Sequence, residues 1–200
     1  MRSKKIGGSS RIFGIIGFPV RHTLSPHFQN AAFASLGMDA LYVPFEVAPS
    51  DLKAAVRGLK ALGVSGVNVT IPHKQAVLLL VDELSAEAKG IGAANTIVFR
   101  NGKAKAYNTD GEGFLRSLKG ELKLNPNGRS VLLFGCGGAE KAIAFVLARE
   151  GTRSISFVDQ VEKRAKELAA KTKKDFPRWE PEDGICGQCI EAYKVRITVC

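Results

Sequence analysis

Cysteine and histidine are scarce in this sequence, which limits the metal and redox chemistry it can support. The 200 residues contain four cysteines (Cys136, Cys186, Cys189 and Cys200) and three histidines (His22, His27 and His73). A structural zinc site needs more ligands than the CGQC pair at 186–189 supplies, and every histidine lies far upstream. We therefore expect no metal. Few, unevenly placed cysteines and the lack of a secretory signal favour a reduced, cytoplasmic protein.

Long apolar segments and acidic residues are also in short supply. No apolar run approaches the ~20 residues of a membrane-spanning helix, so we expect no membrane partner. Against 29 lysines and arginines stand only 19 aspartates and glutamates, a net charge of +10. This balance suits anionic small molecules or nucleic acid. Because the basic residues are scattered and cluster mainly on a predicted helix face at 163–174, we expect no nucleic-acid partner.

Strand-like and helix-like segments alternate along the first half of the chain. Strands are predicted at 11–20, 40–47 and 64–71, and helices at 25–37, at 49–63 and from Pro72 onward. Ser25 and Ser50 are the expected N-caps, and the second helix has an apolar stripe of Leu52, Val56, Leu59 and Leu62. This alternation on short loops indicates a mostly parallel sheet flanked by helices.

A different pattern begins near residue 95 and leads to a second unit. Two short β runs flank RNGK at 100–103, an Asn-Gly hairpin signal. A polar stretch then precedes a new strand–helix–strand–helix series. The predicted regions are a flexible tail (1–11), a first α/β domain with a mixed, mostly parallel sheet (12–108), a linker helix and loop (109–128), and an incomplete Rossmann-like domain (129–200) with an atypical C-terminal tail containing one short strand, KVRITV.

The second unit opens with a glycine-rich turn, LLFGCGGAEKAIAF, between an apolar strand and an amphipathic helix. Gly135 permits a tight turn, while Gly137, Gly138 and Ala139 let a dinucleotide pyrophosphate approach the helix N-terminus. The alternative is a plain strand-to-helix turn. Glu140 departs from the pattern, because it stands where G-x-G-x-x-G/A has its third small residue and its charge would repel a phosphate.

Asp159 ends the next predicted strand, in SFVDQ. An acidic residue about 20 positions beyond the glycines commonly hydrogen-bonds the adenosine ribose and disfavours a 2′-phosphate. This position therefore favours NAD over NADP. The alternative is that Asp159 caps the following helix.

Two charged residues of the first half have a possible role in proton transfer. Lys74 follows a strand end, where a lysine can protonate a substrate carbonyl, and Asp110 in NTDG begins a helix, where a carboxylate can hold such a lysine. Taken singly, Lys74 also fits an exposed helix position and Asp110 a helix cap.

Five motifs, taken in order, closely resemble the shikimate dehydrogenase family, including its quinate/shikimate relatives: GFPVRHTLSPHFQNAAF, GVNVTIPHK, GAANTIV, YNTDGEGF and GCGGAEKAI. The resemblance runs from residue 12 to residue 172. It implies that the first domain binds a cyclohexene or cyclohexane carboxylate. By the same resemblance, the carboxylate contacts are Thr23 and Ser25, the ring-hydroxyl contacts are Thr70, Lys74, Asn95 and Asp110, and the catalytic pair is Lys74 with Asp110.

The resemblance implies an oxidoreductase of chorismate and aromatic amino acid biosynthesis, acting on 3-dehydroshikimate and shikimate with NAD or NADP. A cytoplasmic monomer or homodimer is expected. Three alternatives stay open: a quinate/shikimate dehydrogenase that prefers NAD, a non-catalytic module that binds small carboxylates, and an NAD-binding regulatory protein.

Three departures from the family pattern bear on these expectations. Thr23 replaces the usual serine, and VDQVEK at 158–163 replaces a basic segment that clamps the 2′-phosphate. Family members also continue with further strands, an NATP-like loop and C-terminal helices carrying a substrate-binding glutamine. None of these is recognisable here, and the composition changes after Phe176, so the resemblance predicts a C-terminally truncated chain.

Overall fold

A computed structural model describes residues 6–177 as two compact units, which divide between Asn108 and Thr109. The CGQC motif and the strand predicted at 194–199 lie outside the described residues. Within 6–177, no helix combines the length and apolarity needed to cross a membrane. In the same range, no cluster of three or more histidine, cysteine or acidic side chains is arranged to hold a metal ion.

The first unit is built from six strands and three α-helices. They are β1 (Arg11–Gly17), α1 (Ser25–Ser35), β2 (Ala40–Glu46), α2 (Leu52–Ala61), β3 (Gly66–Val69), β4 (Glu83–Leu84), α3 (Ala86–Ile91), β5 (Thr96–Arg100) and β6 (Lys103–Tyr107). Short 3₁₀ turns occupy Pro49–Asp51 and Ala76–Leu79. Arg11 is already part of β1, and the Ser10 hydroxyl donates to Asp39 at 2.6 Å, so the predicted tail is anchored at its end.

The strands of this unit form one mixed sheet in the order β2-β1-β3-β5-β6-β4. β1 pairs in parallel with both β2 and β3, whereas β5 runs antiparallel to β3 and β6 antiparallel to β5. β4 pairs in parallel with β6. The predicted α/β class with a mixed sheet is confirmed.

Local turn chemistry accounts for the hairpin between β5 and β6. Asn101 and Gly102 have φ angles of 51° and 73°, the left-handed values that a two-residue hairpin loop requires. The register pairs Thr96 with Tyr107 and Arg100 with Lys103, as the Asn-Gly signal predicted.

The predicted apolar stripe of α2 is buried at three of its four residues. Leu52, Val56 and Leu59 are buried in the core of the first unit, but Leu62 is 82% exposed. The physical reason is that α2 ends at Ala61, and Gly63 then turns the chain with a φ of +72°. Leu62 therefore no longer follows the helical period.

The α-helix predicted from Pro72 is wrong. Residues 71–75 form turns, and only the short 3₁₀ segment Ala76–Leu79 follows. The Lys74 carbonyl accepts the Ala94 N–H at 2.7 Å, and the Leu78 N–H donates to the Gln75 carbonyl at 3.2 Å. The bond from Leu78 to Lys74 that an α-helix needs is therefore replaced, and the chain continues to β4, where the Asp82 N–H donates to the Ala104 carbonyl at 2.9 Å.

Both predicted serine caps are also wrong. Leu24 is the N-cap of α1, so Ser25 is its first residue, and Ser50 lies inside a 3₁₀ turn. α3 is not among the helices predicted from the sequence, although its ends carry standard signals. The Ser85 hydroxyl accepts the Ala88 N–H at 3.1 Å, and Gly92 ends the helix with a φ of 74°.

The second unit contains the predicted strand–helix–strand–helix series. Its elements are α4 (Asp110–Gly120), β7 (Ser130–Phe134), α5 (Gly138–Arg149), β8 (Ser154–Val158) and α6 (Glu162–Asp175). β7 and β8 pair in parallel, as expected for strands joined through a helix. Buried side chains of α5, β8 and α6, including Leu147, Phe157 and Leu168, form its core.

Gly111 lets α4 and α5 pack closely. A Cβ at this position would lie 2.6 Å from Val146 Cγ1 and 2.8 Å from the Ala142 carbonyl oxygen. A Cβ at Gly113, two residues further along the same helix, would contact nothing within 4 Å. The close approach at Gly111 thus fixes the first turn of α4, which begins at Asp110.

This contrast predicts opposite effects for two alanine substitutions in α4. Gly111→Ala should lower the free energy of unfolding by about 1–3 kcal/mol, because the methyl group overpacks the α4–α5 contact. Gly113→Ala, the matched control, should raise it by about 0.5–1 kcal/mol through helix propensity. Urea unfolding of both variants tests this. Equal effects at the two positions would contradict the packing argument.

Candidate functional site

Predicted site residues of the first unit meet at one edge of its sheet. Thr70 and Lys74 follow the carboxyl end of β3, and Asn95 directly precedes β5. Because β5 is antiparallel to β3, the start of β5 lies beside the end of β3. α/β sheets commonly bind their ligands at the carboxyl ends of their parallel strands.

Backbone hydrogen bonds hold these segments in register. The Val69 N–H donates to the Asn95 carbonyl at 2.7 Å, and the Ala94 N–H donates to the Lys74 carbonyl at 2.7 Å. The backbone of Lys74 is thus bonded to the residue next to Asn95. Lys74 itself is half-buried, which suits a lysine that contacts a ligand.

Gly17 allows Thr70 to lie against the end of β1. A Cβ at Gly17 would lie 2.4 Å from Thr70 Cγ2, so any larger residue would displace this threonine. The Thr70 N–H also donates to the Ile16 carbonyl at 3.0 Å. β1 therefore determines where Thr70 lies.

His73 anchors the segment that carries Lys74. It is 1% exposed, and its Nε2 lies 2.7 Å from the Val47 carbonyl oxygen, to which it donates. The His73 N–H in turn donates to the Thr70 carbonyl at 2.9 Å. The histidine therefore joins the turn after β3 to the chain after β2, a role that no sequence pattern indicated.

The residues predicted to hold a carboxylate are adjacent. The Thr23 hydroxyl donates to Ser25 Oγ at 3.1 Å, and the Ser25 N–H donates to Thr23 Oγ1 at 3.2 Å. Asn30 anchors α1, which begins at Ser25, to the edge strand β2: its side-chain amide exchanges two 2.9 Å hydrogen bonds with the backbone N–H and carbonyl of Tyr42. This clamp places Ser25 near Tyr42.

Tyr42 connects Ser25 with the segment that holds Asn95. Its hydroxyl is hydrogen-bonded with Ser25 and donates to Asn68 Oδ1 at 2.6 Å. Asn68 Nδ2 donates to Thr96 Oγ1 at 3.2 Å, and the Thr96 hydroxyl donates to Asn95 Oδ1 at 3.0 Å. We call this series, from Thr23 to Asn95, the polar chain. Sequence analysis missed Tyr42 and Thr96 as members.

The Tyr42 hydroxyl keeps its proton at ordinary pH. The residue is 4% exposed, and burial raises the pKa of Tyr42 to about 12, an effect that the hydrogen bond with Ser25 partly opposes. Tyr42 is therefore a neutral donor to Asn68 under physiological conditions, so the polar chain is a fixed arrangement of dipoles.

In the second unit, the glycine loop makes the tight turn between β7 and α5 that the sequence predicted. Gly135 has a φ of +93°, which favours glycine, and its N–H donates to the Val158 carbonyl at 2.7 Å. Gly137 is the N-cap of α5 and supplies no capping side chain. The backbone of Gly137, Gly138 and Ala139 would hold the phosphates at this helix N-terminus.

Asp159 connects the glycine loop with the start of α6. Its Oδ2 accepts the Cys136 N–H at 2.9 Å, and its Oδ1 accepts the Val161 N–H at 2.8 Å. The N-cap of α6 is Val161 and no side chain caps this helix, so the alternative that Asp159 caps it is wrong; Asp159 instead closes a turn ahead of α6. The two hydrogen bonds leave the remaining lone pairs of the carboxylate available for a ribose hydroxyl.

Asp110 is the first residue of α4, with Thr109 as the N-cap. Its negative charge at a helix N-terminus is favoured by the helix dipole. Asp110 belongs to the second unit and Lys74 to the first, and their pairing stays a prediction.

Comparisons with known proteins agree with these features. Residues 15–97 match the family described as "Shikimate dehydrogenase substrate binding domain". The chain is 49% identical over 172 residues to a protein named shikimate dehydrogenase (NADP(+)) from Caldanaerobacter subterraneus, a match covering 86% of this chain and 61% of that one.

Solved structures show the same likeness. The crystal structure of shikimate dehydrogenase from Aquifex aeolicus has a TM-score of 0.80 at 44% identity, covering 84% of this chain and 62% of that chain. The Listeria monocytogenes enzyme, solved in complex with shikimate and NAD, has a TM-score of 0.78 at 36% identity, covering 88% and 60%. The chain thus spans about 60% of the length of these relatives.

The polar chain predicts a pH-dependent role for Tyr42 in stability. Tyr42→Phe should lower the free energy of unfolding by about 1–3 kcal/mol near neutral pH, because Asn68 Oδ1 loses its buried donor. The folded pKa is raised, so the contribution of Tyr42 is complete below pH 10 and is lost as pH rises through 12. The difference between parent and variant should therefore shrink in strong base.

Urea unfolding at neutral and high pH measures this difference. Tyr107→Phe is the matched control, because Tyr107 lies in β6 outside the polar chain and should show no such loss. A Tyr42→Phe variant as stable as the parent at neutral pH would disprove the structural importance of the hydroxyl.

Proposed function

We propose that the chain is a member of the shikimate dehydrogenase family and catalyses the reversible reduction of 3-dehydroshikimate to shikimate with a nicotinamide dinucleotide. This is a step of the pathway to chorismate and the aromatic amino acids. The observation that carries the proposal is the polar chain, which runs from Thr23 to Asn95 inside the family-matched segment.

The substrate chemistry explains why such an arrangement is needed. 3-Dehydroshikimate has a carboxylate at one end of its ring and oxygen substituents at the other, so both ends need polar partners. We assign Thr23 and Ser25 to the carboxylate, and Thr70 and Asn95 to the ring hydroxyls. Tyr42 and Asn68 hold these two groups of residues at a fixed separation through their 2.6 Å hydrogen bond.

Proton transfer is assigned to Lys74 and Asp110. When bound, the dinucleotide supplies the hydride that reduces the carbonyl carbon. The Lys74 ammonium donates its proton to the carbonyl oxygen, which becomes a hydroxyl. The Asp110 carboxylate stabilises the ammonium and accepts a hydrogen bond from this hydroxyl. In the reverse direction Lys74 accepts the proton that the substrate hydroxyl releases.

We further propose that the chain prefers NAD over NADP. Asp159 supports this preference, because its negative charge at the end of β8 opposes a 2′-phosphate on the ribose. The curated relative described above is named for NADP(+), so this chain would differ from it in cofactor choice.

Replacement of Lys74 should abolish most of the turnover. Lys74→Ala removes the proton donor, so kcat for 3-dehydroshikimate should fall about 10²- to 10⁴-fold while dinucleotide affinity stays unchanged. Lys74→Arg retains the positive charge but cannot give up a proton, so it should lose similar turnover while keeping more shikimate affinity. Steady-state kinetics and calorimetric titration with shikimate measure these effects.

Lys53→Ala is the matched control, because Lys53 is an exposed lysine of α2 and should leave every parameter unchanged. If Lys74→Ala keeps the parent turnover, the lysine has no part in proton transfer. If the parent chain itself reduces no 3-dehydroshikimate with either NADH or NADPH, the proposed reaction is wrong for this chain.

Asp159→Asn should shift the cofactor preference. The neutral amide no longer repels a 2′-phosphate, so the ratio of NADPH affinity to NADH affinity should rise about tenfold. Asparagine keeps one acceptor oxygen for the loop hydrogen bonds and so limits structural damage. Fluorescence titrations with both cofactors give the ratio, and an unchanged ratio would leave Asp159 only its hydrogen bonds to the Cys136 and Val161 N–H groups.

A second candidate is a non-catalytic module that binds small carboxylates. It is favoured by one observation: every member of the polar chain belongs to the first unit. Shikimate binding without dinucleotide binding would support this candidate, and turnover with NADH or NADPH would exclude it. Quinate in the same assays distinguishes a quinate/shikimate dehydrogenase. A cytoplasmic location and a monomeric or homodimeric state stay predictions.

A further inference from the structure

The Glu140 side chain folds back over the glycine loop. Glu140 Oε2 lies 2.8 Å from where a Cβ of Gly137 would be, and the carboxyl carbon lies 3.3 Å from the corresponding point at Gly135. The carboxylate thus occupies the open side of two glycines whose missing side chains make room for a pyrophosphate.

The position of Glu140 in α5 explains why its side chain lies there. α5 begins at Gly138, with Gly137 as its N-cap, so Glu140 is the third residue of the helix. An acidic side chain at this position reaches back toward the N-cap, and the helix dipole favours its negative charge. Since Gly137 provides no capping side chain, Glu140 is the acidic residue of this first turn.

Asp159 adds a second negative charge beside the same loop. Its carboxylate accepts the Cys136 N–H at 2.9 Å. The effect of both acids is visible at Cys136, where burial raises the thiol pKa to about 11, with further contributions from the charges of Asp159 and Glu140. Lys141 and Arg164 act in the opposite direction but are outweighed.

We propose that Glu140 is an intramolecular competitor for the dinucleotide pyrophosphate. Its carboxylate must leave the glycine loop before the phosphates bind, so it weakens the binding of NAD(H) and NADP(H) alike. The inference rests on the proposed function, because it concerns the same cofactor site. It differs from the role of Asp159, which acts on the 2′-phosphate and therefore on the ratio between the two cofactors.

The test is dinucleotide affinity of the full chain without substrate, measured by fluorescence titration with NADH and with NADPH. Glu140→Gln keeps the size of the side chain and removes the charge, whereas Glu140→Ala removes both. Each variant should bind both cofactors about tenfold more tightly than the parent at low ionic strength, and the difference should shrink as salt screens the repulsion.

The melting temperature of the ligand-free protein is a second measurement, and it should fall where cofactor affinity rises. Because Glu140 stabilises the N-terminus of α5, Glu140→Gln should lower the melting temperature of the chain without ligand while it tightens cofactor binding. A purely structural role would lower the melting temperature and either leave affinity unchanged or reduce it. Glu121→Gln is the charge-matched control at the exposed end of α4 and should change neither quantity.

The outcomes separate this inference from the proposed function. Parent-like affinity in both Glu140 variants, or equal tightening in Glu121→Gln, would overturn the inference while leaving the dehydrogenase proposal intact. Tightening by Glu140→Ala but not by Glu140→Gln would also overturn it, because size and not charge would then be responsible. If neither the parent nor any variant binds NADH or NADPH, both the inference and the proposed function are wrong.

Discussion

The antiparallel pairing of β5 with β3 is the constraint on which the candidate substrate site depends. It places Asn95, at the start of β5, beside Thr70 and the turn that carries Lys74. A parallel β5 would move Asn95 to the far edge of the sheet, about 17 Å away for a strand of this length. The ladder then continues into backbone hydrogen bonds beyond the strands, which leave the loops little freedom to separate.

A second requirement is that buried polar groups satisfy one another. Tyr42, Asn68 and Thr96 lie between Ser25 and Asn95, and each has a hydrogen-bond partner within the polar chain. An unpartnered group at any of these positions would be costly in a largely buried setting. The same bonds that stabilise the first unit therefore also set the spacing between Thr23 and Asn95. A substitution that breaks one of these bonds should therefore change both the stability of the first unit and this spacing.

The glycine loop illustrates how one physical feature permits opposite outcomes. An open helix N-terminus attracts any anion, whether it belongs to a ligand or to the protein itself. In this chain the helix carries its own anion, Glu140, over the glycines that make room for a pyrophosphate. The motif indicates where a dinucleotide would lie, but its affinity depends on a residue outside the glycines.

Local signals in the sequence determined the α/β class, the Asn-Gly hairpin, the strand–glycine loop–helix unit and the family resemblance, because hydrophobic period and turn chemistry act over a few residues. The tertiary structure alone decided the rest. The helix expected from Pro72 does not form because the Lys74 carbonyl accepts the distant Ala94 N–H, and Leu62 is exposed because α2 ends before it. Tyr42 and Asn68 are 26 residues apart, and only the pairing of β1 with both β2 and β3 brings them together. Contacts of this kind depend on which strands pair and in which direction, and no local pattern contains that information.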